Sequence, residues 1–485
     1  MLDDTLTVDG PHPSENHSKE APSSVVVDCE LPTDPHTPYR PTRWQSNLTL
    51  LSCYIANFSD GFQNQLANPT NIIFKHLLGK SGYPSEMQTR ISNSLIIGAI
   101  LGVLALGYVS DMMSRRAGLV FTSGLVTVST LMAALALQVH PSYNMLWFFV
   151  IVRGICGFGV GGEYPPSAAA GIEESDDFQR RCRGPIFVSF TTFMATLAAP
   201  ILMIIYLICL KASNNNLRIT FHALYSIATI IPAIIMVLRF FMTDSTLYHH
   251  SNFKHQHRPF RFYWLLVRRY RSRLFTTSLA FFLYDFINFP NSIMSSTIIS
   301  SLVRDGNLQT TATWQVILAA LPVPGVIVGA WLTHTLGRRY TGMLGFTGYV
   351  VLGFIIGGTY ARLSRHIAAF VVLYGLLQAF GHMGPGATIG LVSSEAFPTA
   401  MRGMAYSVAT AFGRTGAAVG TECFTPLRDT AGASATFYLL GGVAVLGVIV
   451  YWFLPESGDL NLEEEDRALE EYMAGHGFVM MEKRG

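Results

Sequence analysis

The chain has 485 residues, of which 50% are hydrophobic and only 13% charged, with a formal net charge of +2. Its mean hydropathy is +0.35, whereas a soluble chain carries about 25% charged residues. Composition therefore argues against an ordinary soluble enzyme, and the near-neutral charge gives no case for nucleic-acid binding. Six cysteines (Cys29, Cys53, Cys156, Cys182, Cys209 and Cys423) are scattered, mostly in apolar runs, without the spacing of a metal site or a disulfide framework.

Residues 1–45 are rich in Pro, Ser, Asp, Glu and His and lack the basic start and apolar centre of a signal peptide. They predict a disordered cytosolic tail, so the sequon at Asn16 would not meet the glycosylation machinery. A spanning helix needs about 20 mainly apolar residues. Six runs meet that test near 47–68, 91–111, 117–139, 144–169, 184–210 and 217–242. After a basic segment, six more lie near 274–302, 313–336, 341–361, 367–393, 403–426 and 434–454. An acidic, helix-prone stretch from Glu463 onward closes the chain. The expectation is an all-α membrane protein of twelve transmembrane helices in two pseudo-symmetric six-helix bundles, 46–242 and 274–456. A basic cytosolic linker, 243–273, joins them, and cytosolic tails occupy 1–45 and 457–485.

The two sixes share marks. Gly107-Tyr-Val-Ser-Asp111-Met-Met-Ser114-Arg115-Arg116 ends one apolar run, and Ala330-Trp-Leu-Thr-His334-Thr-Leu-Gly337-Arg338-Arg339 ends another roughly 220 residues later. Each is followed by an acidic residue and Arg-Gly: Glu174 to Arg183-Gly184, then Glu395 to Arg402-Gly403. Such a repeat, with apolar segments between its marks, means two related membrane halves, the signature of a transporter. Orientation follows from the basic residues. Lys254, Arg258, Arg261, Arg268, Arg269, Arg271 and Arg273 join Arg115, Arg116, Arg180, Arg181, Arg183, Arg338, Arg339 and Arg402 on one side. The opposite loops are poorer in charge, so both termini are expected in the cytosol. The central segment with Phe260, Phe262, Tyr263 and Trp264 either lies on the inner leaflet or serves only as the positive-inside signal.

The Gly107-to-Arg116 stretch resembles the signature loop of the major facilitator superfamily, departing at Ser114, where Gly is usual, and at His334 in the second copy. Arg153-Gly-Ile-Cys-Gly157-Phe-Gly159-Val-Gly161-Gly162-Glu163-Tyr164-Pro165 and Ser394-Glu395-Ala-Phe-Pro398-Thr399-Ala-Met-Arg402-Gly403 are more specific. With Asp60-Gly61-Phe-Gln-Asn64, they resemble the phosphate:proton symporters and fungal glycerophosphodiester permeases of that superfamily, over roughly residues 47 to 456.

Four ionisable residues inside spans stand out: Asp60, Glu163, Asp285 and Arg414. A charge at the bilayer centre costs about 2.5–3.5 kcal/mol on insertion scales, so each needs a role or a partner. Arg414 offers a planar fork of donors matched to carboxylate or phosphate oxygens, or else it neutralises a buried carboxylate. The resemblance implies that spans 1, 4, 7 and 10 line a central cavity. It also implies that Arg414, Asp285 and Tyr164 occupy substrate-pocket positions, and that Asp60 and Glu163 occupy positions assigned to proton movement. A carboxyl facing a low-dielectric cavity holds its proton more tightly, which couples proton to anion. Phe281 and Phe289 stand where the phosphate symporters carry Trp and Tyr, and no Gln stands among Thr191, Thr192 and Phe193. Those lost polar contacts favour a bulkier ligand than phosphate, with Asn288, Asn291, Gln378 and His382 as hydrogen-bonding candidates.

Asp111, Arg115, Arg116, Glu174, Arg183, Glu395 and Arg402 fall at inner helix ends, where ion pairs would close the cytosolic face. The alternative is ordinary topology signals with local caps. Gly157, Gly159, Gly161 and Gly162 permit close helix approach, and Gly381-to-Gly386 and Pro322-to-Gly325 are candidate bends. The expected function is proton symport of a small organic anion by alternating access in a multi-pass, monomeric plasma-membrane protein. Its partners are substrate, protons and the lipid bilayer, with no nucleic acid, cofactor or metal. An exporter of a small metabolite, a sugar-type porter and a transporter-like sensor remain as alternatives, and no nucleotide-binding or catalytic motif supports an enzyme.

Overall fold

The computed structural model describes residues 43–109, 115–176, 183–241, 260–303, 306–457 and 462–476. Among them every regular element is helical, and the helices make twelve passes. Span 1 is Arg43–Gln65 continued by Ala67–Gly82, span 2 Ser85–Val109, span 3 Arg115–Ala134 and span 4 Ser142–Asp176. Span 5 runs through Arg183–Val188, a π-turn at Ser189–Phe193 and Met194–Ala212, and span 6 is Leu217–Phe240. The second half repeats the plan with span 7 (Phe260–Ile293, Ser295–Leu302), span 8 (Leu308–Ala320, Pro322–Thr335) and span 9 (Arg338–Leu363). Span 10 (Ile367–Met383, Pro385–Glu395), span 11 (Thr399–Ala431) and span 12 (Ala433–Phe453) complete it. The face at which span 1 begins and span 12 ends is called the linker face below, and the other the distal face.

Nine of the described helical stretches are apolar and long enough to cross a membrane on composition alone; the passes outside that criterion are spans 1, 7 and 11. These three carry Asp60, Asp285 and Arg414, so polarity that weakens their membrane signal is the polarity that builds the interior. Local chemistry sets several boundaries. Asn216 and Asn307 cap spans 6 and 8, each accepting from two backbone N–H groups of the first turn. Span 9 starts after Gly337, whose φ of 87° suits a residue without Cβ. There the Glu456 carboxylate accepts from the N–H groups of Arg338 (2.8 Å) and Arg339 (3.0 Å), an anion at a helix N-terminus. Span 10 breaks at Gly384, within the expected bend Gly381-to-Gly386, and span 8 breaks at Leu321, one residue before the expected Pro322-to-Gly325.

Each half has its own aromatic core. Phe62, Phe74, Phe149, Tyr206, Phe221 and Tyr225 pack the first, and Phe346, Tyr349, Phe370, Tyr374, Phe437 and Tyr451 the second. Residues 260–273, expected within the linker, form the opening turns of span 7. A last helix, Leu462–Ala474, docks on them: Leu469 and Met473 enter the second core, and Glu465 pairs with Arg273 at 2.9 Å. The acidic stretch after span 12 is thus packed against the bundle.

Spans 2 and 4 touch backbone to backbone. A Cβ added at Gly161 would overlap the Ala99 carbonyl oxygen, and one at Gly157 that of Leu95. Overpacking of this kind costs about 1–3 kcal/mol. Gly161→Ala is therefore expected to lower the thermal midpoint of the purified protein, whereas Gly118→Ala, where a Cβ meets nothing within 4 Å, should leave it unchanged. Equal midpoints for the two variants would contradict this packing.

Candidate substrate cavity

One cavity of about 230 Å³ lies between the halves, somewhat below the 300–1,000 Å³ usual for drug-sized ligands. Spans 1, 4, 5, 7, 8, 10 and 11 all contribute to its wall. Arg414, Asp285, Tyr164, Asn288 and Gln378, the expected substrate contacts, all line it, as does Asp60. Seven side-chain amides (Asn57, Asn64, Gln65, Asn68, Asn288, Gln315 and Gln378) give the wall many neutral donors and acceptors.

Arg414 occupies the middle of span 11. Its Nη2 donates to the Tyr164 hydroxyl at 2.7 Å, and its guanidinium lies 4.8 Å from the Tyr164 ring centroid and 4.5 Å from that of Phe289. Two aromatic faces thus hold the cation where water is scarce. Asp285 Oδ2 stands 3.8 Å from Nη1, within ionic reach but beyond a hydrogen bond. Both Asp285 Oδ2 and Arg414 Nε are buried without a hydrogen-bond partner. The pair is electrostatically joined while its hydrogen-bonding capacity stays open, so an oxyanion entering beside it would find donors ready.

Asp60 is 5% exposed, and its carboxylate makes no hydrogen bond or ion pair among the described residues. The charges that act on it most strongly are Glu163, Arg239 and Arg414. Glu163 differs from expectation, because its side chain is turned away from the cavity wall. Its two carboxylate oxygens accept from Arg239 of span 6 at 2.7 and 3.1 Å, and Arg239 also donates to the Leu119 carbonyl of span 3. With both partners almost fully buried, this fork ties spans 3, 4 and 6 together. Asn291 is likewise withdrawn into the second core, where Tyr374 donates to its carbonyl. His382 lines the cavity and shares a 3.3 Å hydrogen bond with Thr196 of the other half.

Sequence reasoning passed over three ionisable groups inside spans. Arg239 and Glu422 lie within the apolar runs 217–242 and 403–426, and Arg153 within 144–169. The rule that selected Asp60 and Arg414 applied to them equally. Arg153 donates to the Gln63 carbonyl of span 1, and Glu422 accepts from Asn93 of span 2 at 2.8 Å.

Of the expected gate residues, Asp111 lies outside the described residues, as do the side chains of Arg115, Arg116, Glu174 and Arg183. Glu395 accepts from Arg338 through both oxygens at 3.2 Å and from Ser457 at 2.9 Å. These partners belong to its own half, and this cluster clamps spans 9 and 10. Arg402 stands in the first turn of span 11. Among the described residues, linker-side contacts between the halves include apolar ones of span 5, Phe187 with Leu391 and Val188 with Val326 and Ala387, and a bond from Thr192 to the Gly386 carbonyl. On the distal side they meet through hydrogen bonds: Thr89 with Thr425, Asn93 with Glu422, Gln88 with Thr297 and Gln65 with Ser292.

Residues 48–469 match the family model described as "Sugar (and other) transporter". The chain is 79% identical over 442 residues to the MFS-type transporter lnaF of Aspergillus flavus, covering 91% of this chain and 90% of that one. It is 34% identical to glycerophosphoinositol transporter 1 of Saccharomyces cerevisiae, covering 94% and 88%, and 35% identical to glycerophosphoinositol permease 1 of Candida albicans, covering 89% and 82%. Among solved structures, a D-xylose–proton symporter superposes with a TM-score of 0.70 over 86% of this chain and 99% of that one, at 17% identity, which speaks for the fold alone. Twelve passes, a central polar cavity and these matches together make the chain a member of the sugar (and other) transporter family, a membrane transporter of the major facilitator superfamily.

Proposed function

We propose that the protein imports a small organic anion of the phosphodiester type by symport with protons, as a monomer in the plasma membrane with its linker face and both termini in the cytosol. The single observation that carries the reading is Arg414, a guanidinium at mid-span whose neighbouring carboxylate stops short of a hydrogen bond. Relatives named as glycerophosphoinositol transporters support the phosphodiester class. The amide-rich wall suits the neutral polar remainder of such a molecule, and Phe281 and Phe289 suit its bulk.

In this mechanism the anion's oxygens take the open donors of Arg414, and Asp285 loses part of its partner's charge in exchange. Asp60 carries the proton: protonated, it removes a negative charge from the cavity before the anion enters, so the two ligands favour one another. Glu163, held by Arg239, contributes its charge to the field around Asp60 while its bonds hold the half together. Direction of transport follows from the gradients on the two ligands.

Arg414→Ala is expected to reduce saturable uptake of glycerophosphoinositol by about 30-fold or more, since truncating one buried partner of a charge pair costs about 2–5 kcal/mol. Arg414→Lys should retain a part, because it keeps a point charge and loses the fork. Uptake by Arg414→Ala equal to wild type at matched surface level would sink the anion site. Asp60→Asn should abolish accumulation driven by an imposed pH gradient in proteoliposomes yet keep substrate exchange across a membrane with none. Accumulation that persists would move the proton elsewhere. Glu163→Gln leaves Arg239 buried and unpaired, at a cost of about 3–5 kcal/mol, so its thermal midpoint should fall well below that of Asp60→Asn. A stable but uncoupled Glu163→Gln protein would return the proton role to Glu163.

A further inference from the structure

Span 7 breaks between Ile293 and Ser295, at Met294. Pro290 removes a rung of the helix one turn earlier, so proline does not account for a break at this point. A continuous helix would join the Ser296 N–H to the Ser292 carbonyl. Instead, the side-chain amide of Asn68, from span 1 in the other half, stands between them. Its Nδ2 donates to the Ser292 carbonyl at 2.9 Å, and its Oδ1 accepts from the Ser296 N–H at 3.2 Å. One carboxamide thus replaces both sides of the missing rung, since it carries the same donor and acceptor as a peptide group. Side chains that enter the ladder in this way are a known cause of kinks.

The amide is held in place from its own side and from the other. Gln65 Oε1 accepts a further bond from Nδ2 at 2.9 Å, and the Ser295 hydroxyl, 2.9 Å from the Ser292 carbonyl, lies 3.3 Å from Oδ1. Asn68 is 2% exposed and Ser296 fully buried, so each group involved is costly to leave unpaired. The insertion lies on the distal side of Asp285, at the roof of the cavity, where Gln65, Asn68, Ser292 and Ser295 line the wall.

We infer that Asn68 is the latch of the distal gate and that it couples closure of that gate to the bend of span 7. With the amide inserted, span 7 is bent over the cavity and the halves are tied. When the halves part at the distal face, Asn68 withdraws and the Ser296-to-Ser292 rung closes within span 7, so no backbone group is stranded. The bent form makes two bonds through the amide where the straight form makes one rung, and the withdrawn amide takes water in their place as the distal face opens. That exchange makes the element bistable, with small differences in contact deciding which form dominates.

The test uses spin labels at Lys211→Cys and Arg362→Cys, the exposed distal ends of spans 5 and 9, with the six native cysteines replaced by serine. Interspin distances in the reconstituted protein report opening of the distal face without substrate, proton gradient or known membrane orientation, so the outcome stands apart from the transport reading. Asn68→Ala should raise the ratio of long-distance to short-distance populations about tenfold, the equivalent of about 1.4 kcal/mol. Ser296→Pro should do the opposite. Proline at 296 removes the N–H bond of either form, to Asn68 Oδ1 or to the Ser292 carbonyl, but only the straight helix also drives its ring against the Ser292 carbonyl, so the long-distance population falls. Should Asn68→Ala fail to fold, Ser296→Pro decides alone. An unchanged distribution in Asn68→Ala, or a growth of the long-distance population in Ser296→Pro, overturns the latch.

Discussion

A guanidinium halfway through a membrane is the constraint around which the rest of this molecule is arranged. Arg414 cannot shed its charge, so it must be solvated by protein. Tyr164 and Phe289 give it aromatic faces, Tyr164 gives it one acceptor, and Asp285 gives it a counter-charge at 3.8 Å. What they leave unmet is as informative as what they supply. A cation already engaged by a well-made carboxylate fork has little to offer a ligand. Glu163 with Arg239 is the contrast within the same protein, a fork with both oxygens engaged that holds three helices together.

The two halves are therefore internally rigid and mutually adjustable. Within the first, glycine contacts weld span 2 to span 4 and the Glu163 fork ties spans 3, 4 and 6. Within the second, Glu395 and Glu456 bind the start of span 9 to the ends of spans 10 and 12, and the final helix packs on span 7. Among the described residues, many hydrogen bonds between the halves are neutral, such as Thr89 with Thr425, Gln65 with Ser292 and Thr192 with the Gly386 carbonyl, while Asn93 with Glu422 and Tyr164 with Arg414 each involve a charge. Neutral hydrogen bonds contribute about 0.5–1.5 kcal/mol each, so these contacts yield to a modest bias from ligand binding.

Much of this was legible in the sequence because the bilayer demands it. Apolar runs, basic clusters and the repeated Gly107 and Ala330 stretches led to twelve passes even though spans 1, 7 and 11 are too polar to stand out by hydropathy. Asp60, Asp285 and Arg414 were recognisable since a charge inside an apolar run must have either a partner or a task. Glu163 was expected on the cavity side because its partner Arg239, near the end of span 6, was passed over. The packing of spans 8 and 10 announced its bends through proline and glycine. The bend of span 7 did not, since its cause is an amide in span 1 that only the folded chain brings there. Glu395 with Arg338 shows the same limit: an acidic residue and many arginines were visible, but not which of them met.

The most direct measurement is the thermal midpoint of the purified protein titrated with glycerophosphoinositol and, separately, with inositol, its uncharged polyol portion. Binding to the native state alone raises stability by RT ln(1 + [L]/Kd). An anion site at Arg414 predicts a midpoint that climbs with the phosphodiester and stays flat with inositol at equal concentration. Equal stabilisation by both, or by neither, would contradict it.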